Sequence, residues 1–370
     1  MKTQATKITE GKSAVFVVST KQATKGPGAK EKVPFYNPSM VINRDVSILV
    51  AQNLIASSKK SVRLLDGLAA SGIRGIRFAH ELEGDFHVTI NDWNEESYQL
   101  IKKNAQIYSS SHITTTKKNL HLLLTEEKFE YIDIDPFGSP VYFFDVVMKS
   151  IQHGGIIACT ATDTAALCGV YPKACQRRYH AQPLHAPCMK EIGLRILLGS
   201  LCREATKYGK GIEPLLCYTT DHYSRLYVKV SRGVGAADTA ISRVSTISSK
   251  AIDGFYTAPQ TMVGPLWLGP IQQKQFIQEV RDILFTKQLQ TKHDLVKLLD
   301  ILEEEATAPP FFYSVDEVAS TLKCSPPKRK LLFGRLRENG YTVSRTHCTP
   351  AGFKTNAPLA TIKSMFMQQK

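Results

Sequence analysis

The sequence predicts an α/β fold in which a doubly wound, mostly parallel sheet is followed by a smaller α+β domain. Short apolar runs alternate with helical stretches along the first part of the chain, which is the pattern of parallel strands joined by crossover helices. Two later runs, residues 213–220 and 225–231, are separated only by residues 221–224, and so short a connection forces an antiparallel pair. From residue 271 onward, helical periodicity dominates.

The predicted parallel strands are short apolar or β-rich runs joined mostly by helices. The strands cover residues 62–66, 87–91, the polar stretch before Asn119, 131–135 and 155–161. The helices cover residues 43–55, a stretch ending near Leu82, 95–108, 141–151 and a stretch starting near Lys190. A parallel sheet that ends in one antiparallel hairpin is the outline of a class I methyltransferase rather than of a nucleotide dehydrogenase.

The composition describes an ordinary globular protein. The 370 residues suffice for two domains, with 43% hydrophobic and 22% charged residues. No run approaches the roughly 20 apolar residues of a membrane span, and no apolar signal core opens the chain. The eight cysteines never form a Cys-x-x-Cys pair, which argues against a zinc ribbon and fits a reduced cytosol. We therefore expect a cytoplasmic protein with no membrane association and no required protein partner.

The charge balance indicates a polyanionic partner. The chain has 47 Lys and Arg against 33 Asp and Glu, a net charge of +14, for which nucleic acid is the simplest partner. A general solubility charge is the alternative interpretation. Basic residues concentrate in residues 1–34, in a long irregular loop over residues 162–187 and in a helix over residues 327–339. The expected phosphate contacts in the last two are Arg177, Arg178, Lys328, Arg329, Lys330 and Arg335.

The segment 131–140 predicts an acceptor site. Pro136 and Gly138 end the strand abruptly, so Asp135 and Phe137 lie at its carboxyl tip, where open α/β sheets bind ligands. The Asp135 carboxylate and the Pro136 carbonyl can accept hydrogen bonds from an exocyclic amine, while the Phe137 ring stacks on the base that carries it. The alternative is a strand-terminal turn with a capping Asp and a core Phe.

Two further strand tips predict a nucleotide-type ligand. Asp66 ends one strand and leads into a glycine-rich turn over residues 67–75, where small residues and a helix N-terminus allow close approach of a ligand. This turn is not Gly-x-Gly-x-x-Gly, and alone it is a weak signal. Asp92 ends the next strand, where it can accept hydrogen bonds from both hydroxyls of a ribose.

The second domain is predicted to begin near residue 235, after which residues 233–269 resemble a linker. We expect domains over residues 1–235 and 236–370. Helices are predicted over residues 271–289 and 292–305, a capping box at residues 314–317 opens a third, and a strand over 341–345 follows the basic helix. This winged-helix-like order fits nucleic-acid binding, and a structural cap with a solvated charged face is the alternative.

A metal site is conceivable in the loop over residues 162–187 and just beyond it. Its candidate ligands are Cys175, His180, His185 and Cys188. Their spacing matches no zinc pattern, so we expect no metal.

Seven segments in order resemble the tRNA guanine-26 N2-dimethyltransferase family. They are residues 35–38, 43–45, 66–75, 135–138, 159–163, 264–270 and 345–350. The resemblance runs from about Glu10 to the C-terminus, and several motifs in order are far more specific than any one of them. It implies a class I methyltransferase with a seven-stranded sheet, S-adenosylmethionine as methyl donor and the exocyclic amine of a tRNA guanine as acceptor.

The resemblance also implies roles for individual residues. Asp135 would be the catalytic carboxylate, next to Pro136, with Phe35 and Phe137 on either side of a flipped guanine. The donor contacts would be Arg44, Asp66, Arg74, Asp92, Asn119 and Leu120. Where the family commonly has Asp-Ala near the adenine, this chain has Asn119-Leu120, whose amide oxygen can still accept from the adenine amine. Some members carry a Cys-x-x-Cys zinc site that this chain lacks.

Two other functions remain open at the level of sequence. An amino-methyltransferase acting on adenine or cytosine usually has Asp or Asn, two prolines and then an aromatic residue, whereas here Phe137 takes the third place. A non-catalytic tRNA-binding protein on the same scaffold would explain the charge. It would leave Asp135, Asp92 and the glycine turn without a role.

Overall fold

A computed structural model describes residues 5–18, 36–108, 110–252, 254–255 and 260–367. The strands in chain order are β1 (Ala5–Glu10), β2 (Ser13–Val18), β3 (Val62–Asp66), β4 (Phe86–Asn91), β5 (Ile113–Thr116), β6 (Phe129–Ile134), β7 (Ile151–Ala161), β8 (Lys210–Thr219), β9 (Ser224–Arg232), β10 (Val244–Ser248), β11 (Met262–Trp267), β12 (Tyr313–Ser314), β13 (Val343–Arg345) and β14 (Gly352–Thr355).

The helices connect these strands or cover them. In chain order they are α1 (Val41–Ser57), α2 (Ile73–Glu81), α3 (Glu95–Gln106), α4 (Leu120–Glu126), α5 (Phe144–Ser150), α6 (Thr164–Leu167), α7 (Pro172–Tyr179), α8 (Met189–Thr206), α9 (Val234–Ile241), α10 (Ser249–Ile252), α11 (Lys274–Thr286), α12 (Lys292–Glu305), α13 (Val315–Leu322), α14 (Arg329–Glu338) and α15 (Leu359–Met367). Two 3₁₀ helices, Pro38–Met40 and Pro140–Phe143, precede α1 and α5.

The central sheet has seven strands in the order β5-β4-β3-β6-β7-β9-β8. Strands β3 to β7 are parallel, and β9 is antiparallel to both β7 and β8. The predicted parallel sheet with one antiparallel hairpin is therefore confirmed. Its strands are buried on both faces, which explains why they are nearly continuous apolar runs.

Each face of the sheet has its own hydrophobic core. One core packs α4, α5 and α8 against the sheet, and the other packs α1, α2, α11 and α12 against the opposite face. A third core holds α13, α14 and α15 around Phe353 of β14. Strands β12, β14 and β13 form a small antiparallel sheet beside these helices, so the smaller α+β unit with a basic helix and a following strand is present.

Two segments predicted to be irregular are ordered. Residues 162–187, predicted as a loop, contain α6 and α7, because Leu167, Cys175 and Tyr179 bury apolar surface against the core. Residues 233–269, predicted as a linker, contain α9, α10 and the hairpin of β10 and β11. Strand β11 lies against α8, where a side chain at Gly199 would meet the Leu266 backbone at 3.1 Å.

Smaller differences concern the ends of the chain and one cap. Strand β1 and helix α15 were not predicted, since neither has a strong periodic pattern. Ser314 is the N-cap of α13 as predicted, but its side chain makes no capping hydrogen bond within the described residues. No helix in the described ranges combines the length and the apolar character needed to cross a membrane.

Candidate active site

The predicted site acids meet at the carboxyl edge of the sheet. Asp66 ends β3, Asp92 follows β4 and Asp135 follows β6, and these strands are neighbours in the order β4-β3-β6. The register pairs Asp66 with Asp133, so the strands end nearly level. Neighbouring strands lie about 4.8 Å apart, which brings the three tips into one site.

The turn after β3 and Asp92 form one side of this site. Asp92 Oδ2 accepts a hydrogen bond from the Ala70 N–H at 2.8 Å, and Oδ1 accepts from the Asn94 N–H at 2.9 Å. Ala70 and Gly72 both have left-handed backbone conformations, with φ of 48° and 76°. Burial raises the pKa of Asp92. Each carboxylate oxygen keeps a lone pair, so the geometry allows further acceptance from a ligand's hydroxyls.

Asn91 holds this side together, and sequence reasoning missed it. Its amide Nδ2 donates to the Gly67 carbonyl at 3.0 Å and to the Lys118 carbonyl at 3.1 Å, while its Oδ1 accepts from the Lys118 N–H at 3.0 Å. A side chain at Gly67 would meet Leu120 Cδ1 at 3.1 Å. Asn119 caps α4 by accepting from the His121 N–H at 2.9 Å. Asn91, Gly67 and Leu120 thus place the glycine turn next to the start of α4.

Asp66 supports the turn from below. Its side chain is buried, and Oδ2 accepts from the Gly75 N–H at 2.9 Å, which fastens the first turn of α2. Burial raises the pKa of Asp66 to about 7. Gly75 is required here because a Cβ would lie 2.6 Å from Ile90 Cγ1. Asp66 therefore fixes the position of the turn, and direct donor contact by Asp66 stays a prediction.

Asp135 and Phe137 form the other side of the site. Asp135 is one residue beyond β6, its side chain is 22% exposed, and its Oδ2 accepts from Arg74 Nη2. The following turn is fixed to β7, because the Gly138 N–H donates to Thr162 Oγ1 at 2.7 Å and the Thr162 N–H donates to the Gly138 carbonyl at 2.9 Å. Phe137 is about half exposed, so it is not the core residue of the alternative interpretation, and its stacking role stays a prediction.

Arg74 connects Asp135 to a buried polar network. Its Nη1 donates to Asn43 Oδ1 at 2.8 Å and to Ser47 Oγ at 2.7 Å, and lies 3.4 Å from Asp133. Asp133 in turn accepts two hydrogen bonds from Arg225, at 3.0 and 2.6 Å. Asp133 and Arg225 were not predicted as site residues. A charged residue inside an otherwise apolar strand is the signal that could have found them.

Arg44 is held by the N-terminal hairpin. Its Nε and Nη2 donate to the two oxygens of Glu10 at 2.7 and 2.6 Å, and Nη2 also donates to the Asn37 carbonyl at 3.1 Å. Glu10 accepts from Arg77 at 2.8 Å as well. Burial alone would raise the pKa of Glu10, but the two guanidinium groups outweigh it and lower the pKa. Both arginines predicted to bind the donor are thus ion-paired within the chain.

The predicted phosphate contacts differ in exposure. Arg177 is exposed, and Arg178 pairs with Asp163 at 2.9 Å. Lys328, Arg329 and Lys330 are exposed at the start of α14. Arg335 is only partly exposed, and its Nη1 is buried without a hydrogen-bond partner among the described residues. Arg335 is therefore a weaker candidate than its neighbours.

The remaining predictions concern Phe35, Pro136 and a metal site. Phe35 lies outside the described residues. Pro136 lies between Asp135 and Phe137 in the turn after β6 and is partly exposed. Within the described part of the chain, no group of three or more His, Cys, Asp or Glu residues could hold a metal ion. No disulfide joins any of the eight cysteines, and none of them is exposed.

The sheet order, the antiparallel final strand and the acids at the carboxyl edge are those of a class I methyltransferase. The model of the N2,N2-dimethylguanosine tRNA methyltransferase family matches residues 11–367. The chain belongs to this family, which confirms the resemblance seen in its motifs.

Relatives and a solved structure match over nearly the whole chain. A tRNA (guanine(26)-N(2))-dimethyltransferase of Thermococcus kodakarensis is 35% identical, over 96% of this chain and 97% of the relative. The protein of the same name from Methanobrevibacter smithii is 36% identical, over 90% of each. The structure of Trm1 from Pyrococcus horikoshii with S-adenosyl-L-methionine superposes with a TM-score of 0.86 at 33% identity, covering 97% of this chain and 99% of that one.

Proposed function

We propose that this protein transfers one or two methyl groups from S-adenosylmethionine to the exocyclic N2 of guanine 26 in tRNA. The observation that carries the proposal is the position of Asp135. This partly exposed carboxylate directly follows β6, the strand next to β3 and its glycine turn, at the carboxyl edge of the sheet. Full-length similarity to proteins named for this reaction supports the same substrate.

The acceptor side supplies orientation and a base. Guanine N2 is a poor nucleophile because its lone pair is delocalised into the ring. Asp135 orients the amine together with the Pro136 carbonyl, stabilises the positive charge that grows on nitrogen, and takes the proton that nitrogen loses. Phe137 stacks on the guanine, and Phe35 is proposed for its other face. The rings lower the local dielectric constant, which strengthens the interaction between Asp135 and the amine.

The donor side supplies alignment. S-adenosylmethionine brings a methyl group that is already activated by the sulfonium. Asp92 accepts hydrogen bonds from the ribose, Asn119 and Leu120 contact the adenine, and the turn after Asp66 receives the amino acid end. Correct placement of the amine and the methyl group then accounts for most of the rate enhancement.

The proposed roles of Arg44 and Arg74 depend on their present partners. Both are assigned to the donor carboxylate, while Glu10 and Asp135 hold them in this structure. Arg74 lies between the two halves of the site. The carboxylate of the bound donor therefore competes with the Asp135 carboxylate for the Arg74 guanidinium. Arrival of the donor thereby loosens Asp135 for its contact with the guanine amine.

The net charge and the cysteines support the proposed substrate and the proposed compartment. A net charge of +14 suits a tRNA backbone, with contacts proposed at Arg177, Arg178 and the start of α14. The cytoplasm is the proposed compartment, because cysteines that form no disulfide suit a reducing environment.

Mass spectrometry of nucleosides tests the proposal. An unmodified tRNA transcript incubated with the protein and S-adenosylmethionine should yield N2-methylguanosine or N2,N2-dimethylguanosine, and a transcript with guanine 26 replaced by adenine should yield neither. Methylation of duplex DNA instead would favour an adenine or cytosine methyltransferase. Calorimetric binding of tRNA without binding of the donor would indicate a non-catalytic RNA-binding protein.

A further inference from the structure

Tyr142 is an exposed aromatic ring just beyond the acceptor side of the site. It is 63% exposed and lies in the 3₁₀ helix Pro140–Phe143. Phe144 is buried in the core beneath this turn, and Phe143 packs against the same core. The backbone is also fixed, because His121 Nε2 lies 3.0 Å from the Tyr142 carbonyl oxygen. Packing therefore explains the two phenylalanines but not the outward-facing tyrosine.

Arg178 is held by the same framework as the turn that carries this ring. Its guanidinium is attracted to the Tyr142 hydroxyl and pairs with Asp163 at 2.9 Å. The other oxygen of Asp163 accepts from the Tyr179 hydroxyl at 2.6 Å, and that hydroxyl accepts from Ser139 Oγ at 2.8 Å. Ser139 is the N-cap of the turn that carries Tyr142. The turn that carries the ring is thus joined to the cation by side-chain hydrogen bonds that run from Ser139 through Tyr179 and Asp163 to Arg178.

The same framework includes the acceptor site. Ser139 follows Gly138, whose N–H and carbonyl are both bonded to Thr162 beside Asp163. Asp135 and Phe137 begin this turn. A ligand group on Tyr142 would therefore be held at a fixed place relative to the base that stacks on Phe137.

We propose that Tyr142 and Arg178 bind the nucleotide next to the target guanine, with its base stacked on the Tyr142 ring and its phosphate on Arg178. The proposal rests on the proposed function, because it assumes a guanine taken out of a stacked RNA. Removing that guanine exposes one face of its neighbour, and an aromatic ring that stacks on this face offsets the lost base stacking. The charge around the ring fits RNA: Lys173 and Arg177 are exposed on the same helix as Arg178.

Variants at Tyr142 test the stacking contact. Tyr142→Ala should lower kcat/KM for an unmodified tRNA transcript by about 5- to 150-fold, the usual range for one lost base–aromatic stack. Tyr142→Phe keeps the ring face and should remain close to the parent. The Kd for S-adenosylmethionine should not change in either variant. Arg178→Gln should reduce the salt slope of tRNA binding by about one unit.

Phe285→Ala is the matched control. Phe285 is 59% exposed near the end of α11. Lys287, two residues later, pairs with Glu83, which precedes β4 and so lies at the amino edge of the sheet, opposite the carboxyl edge that carries the site. This variant should methylate tRNA like the parent. An equal loss in Phe285→Ala and Tyr142→Ala would mean that exposed rings act through general stability, which would contradict the proposal.

Abasic substrates identify the neighbouring base. Two transcripts each lack one base beside guanine 26, on the 5′ or the 3′ side. The parent should methylate one of these transcripts more slowly than the complete transcript. The Tyr142→Ala variant should show little further loss on that transcript, because the stacking contact is already absent. Three results would overturn the Tyr142 contact but not the proposed function. They are strictly additive losses with both transcripts, equal losses in Tyr142→Phe and Tyr142→Ala, and parental activity in Tyr142→Ala. A parent that methylates no tRNA would overturn the proposed function together with it.

Discussion

Single residues of the candidate site are held by buried ion pairs, and some of them are proposed to contact the substrate directly. Asp135 is proposed to face the acceptor position, and Arg74, Asp133 and Arg225 lie behind it in one series of ion pairs and hydrogen bonds. Substitution of Asp135 should affect the reaction, whereas substitution of Asp133 or Arg225 should affect stability first.

Asp135→Asn is expected to remove most methyl transfer while donor binding is retained. The amide oxygen can still accept from Arg74 and from the guanine amine, but it accepts a proton poorly, so the loss should reach about a hundredfold or more. Single-turnover rates on a tRNA transcript measure the effect, and calorimetry measures the donor Kd. Asp85→Asn, at an exposed carboxylate just before β4, serves as the control. Transfer near the parental rate would contradict the role given to Asp135.

Arg225→Gln should destabilise the protein strongly. Arg225 and Asp133 are both fully buried, and removal of one partner leaves a buried charge that typically costs about 3–5 kcal/mol. The exposed pair of Arg63 and Glu127 offers the comparison, since Arg63→Gln should cost about 1 kcal/mol or less. Urea unfolding gives both free energies. Similar values for the two variants would mean that the buried network is not needed for stability.

At the scale of elements, α14 is the basic helix proposed to contact tRNA. Arg329 and Lys330 are exposed in its first turn, where phosphate contacts also benefit from the helix N-terminus. Arg329→Gln combined with Lys330→Gln should weaken tRNA binding and flatten its salt dependence by roughly two units of slope. The Kd for S-adenosylmethionine should stay the same.

A second pair of cations controls for net charge in this experiment. Lys59 and Lys60 are exposed between α1 and β3, at the sheet edge away from the site. Their double replacement by Gln removes the same charge and should leave the slope nearly unchanged. Equal slopes for the two double variants would show that α14 only faces solvent.

At the scale of the whole molecule, a buried charge cluster joins the seven-stranded sheet and its helices to the C-terminal unit, which consists of β12 to β14 and α13 to α15. Glu191 of α8 accepts from Lys354 of β14 at 2.8 Å and from the Phe311 N–H at 2.8 Å, and it also pairs with Arg195. Burial alone would raise the pKa of Glu191, but the attraction of Lys354 and Arg195 outweighs it and lowers the pKa to about 2. The cluster therefore stabilises the fold only while Glu191 is ionised.

Glu191→Gln should lower the free energy of unfolding by about 3–5 kcal/mol near neutral pH. Because the folded pKa lies below the unfolded value of about 4.3, this stabilisation is complete above that value and is lost as the pH falls towards 2. The difference between parent and variant in urea unfolding should thus shrink over that range. Glu304→Gln, at the more exposed pair with Arg345, should cost about 1 kcal/mol or less and is the control. A pH-independent difference would contradict this account.

The sequence by itself determined the sheet and the positions of its acids. Parallel strands buried on both faces are nearly continuous apolar runs, and residues that follow such runs must lie at the carboxyl edge. For that reason the strand pattern alone was enough to place Asp92 and Asp135 at that edge. The family resemblance supplied the donor and the guanine, since motifs in fixed order carry information that local propensity lacks.

Only the tertiary structure decided which charges meet. Glu10 reaches Arg44 across 34 positions of the chain, and Arg225 reaches Asp133 across 92. No local pattern encodes such pairs, because burial of a charge depends on every element packed around it. The order in residues 162–187 and 233–269 has the same origin: segments without strong periodicity become helices and strands once they cover apolar surface of the sheet domain, a tertiary gain that outweighs weak local propensity.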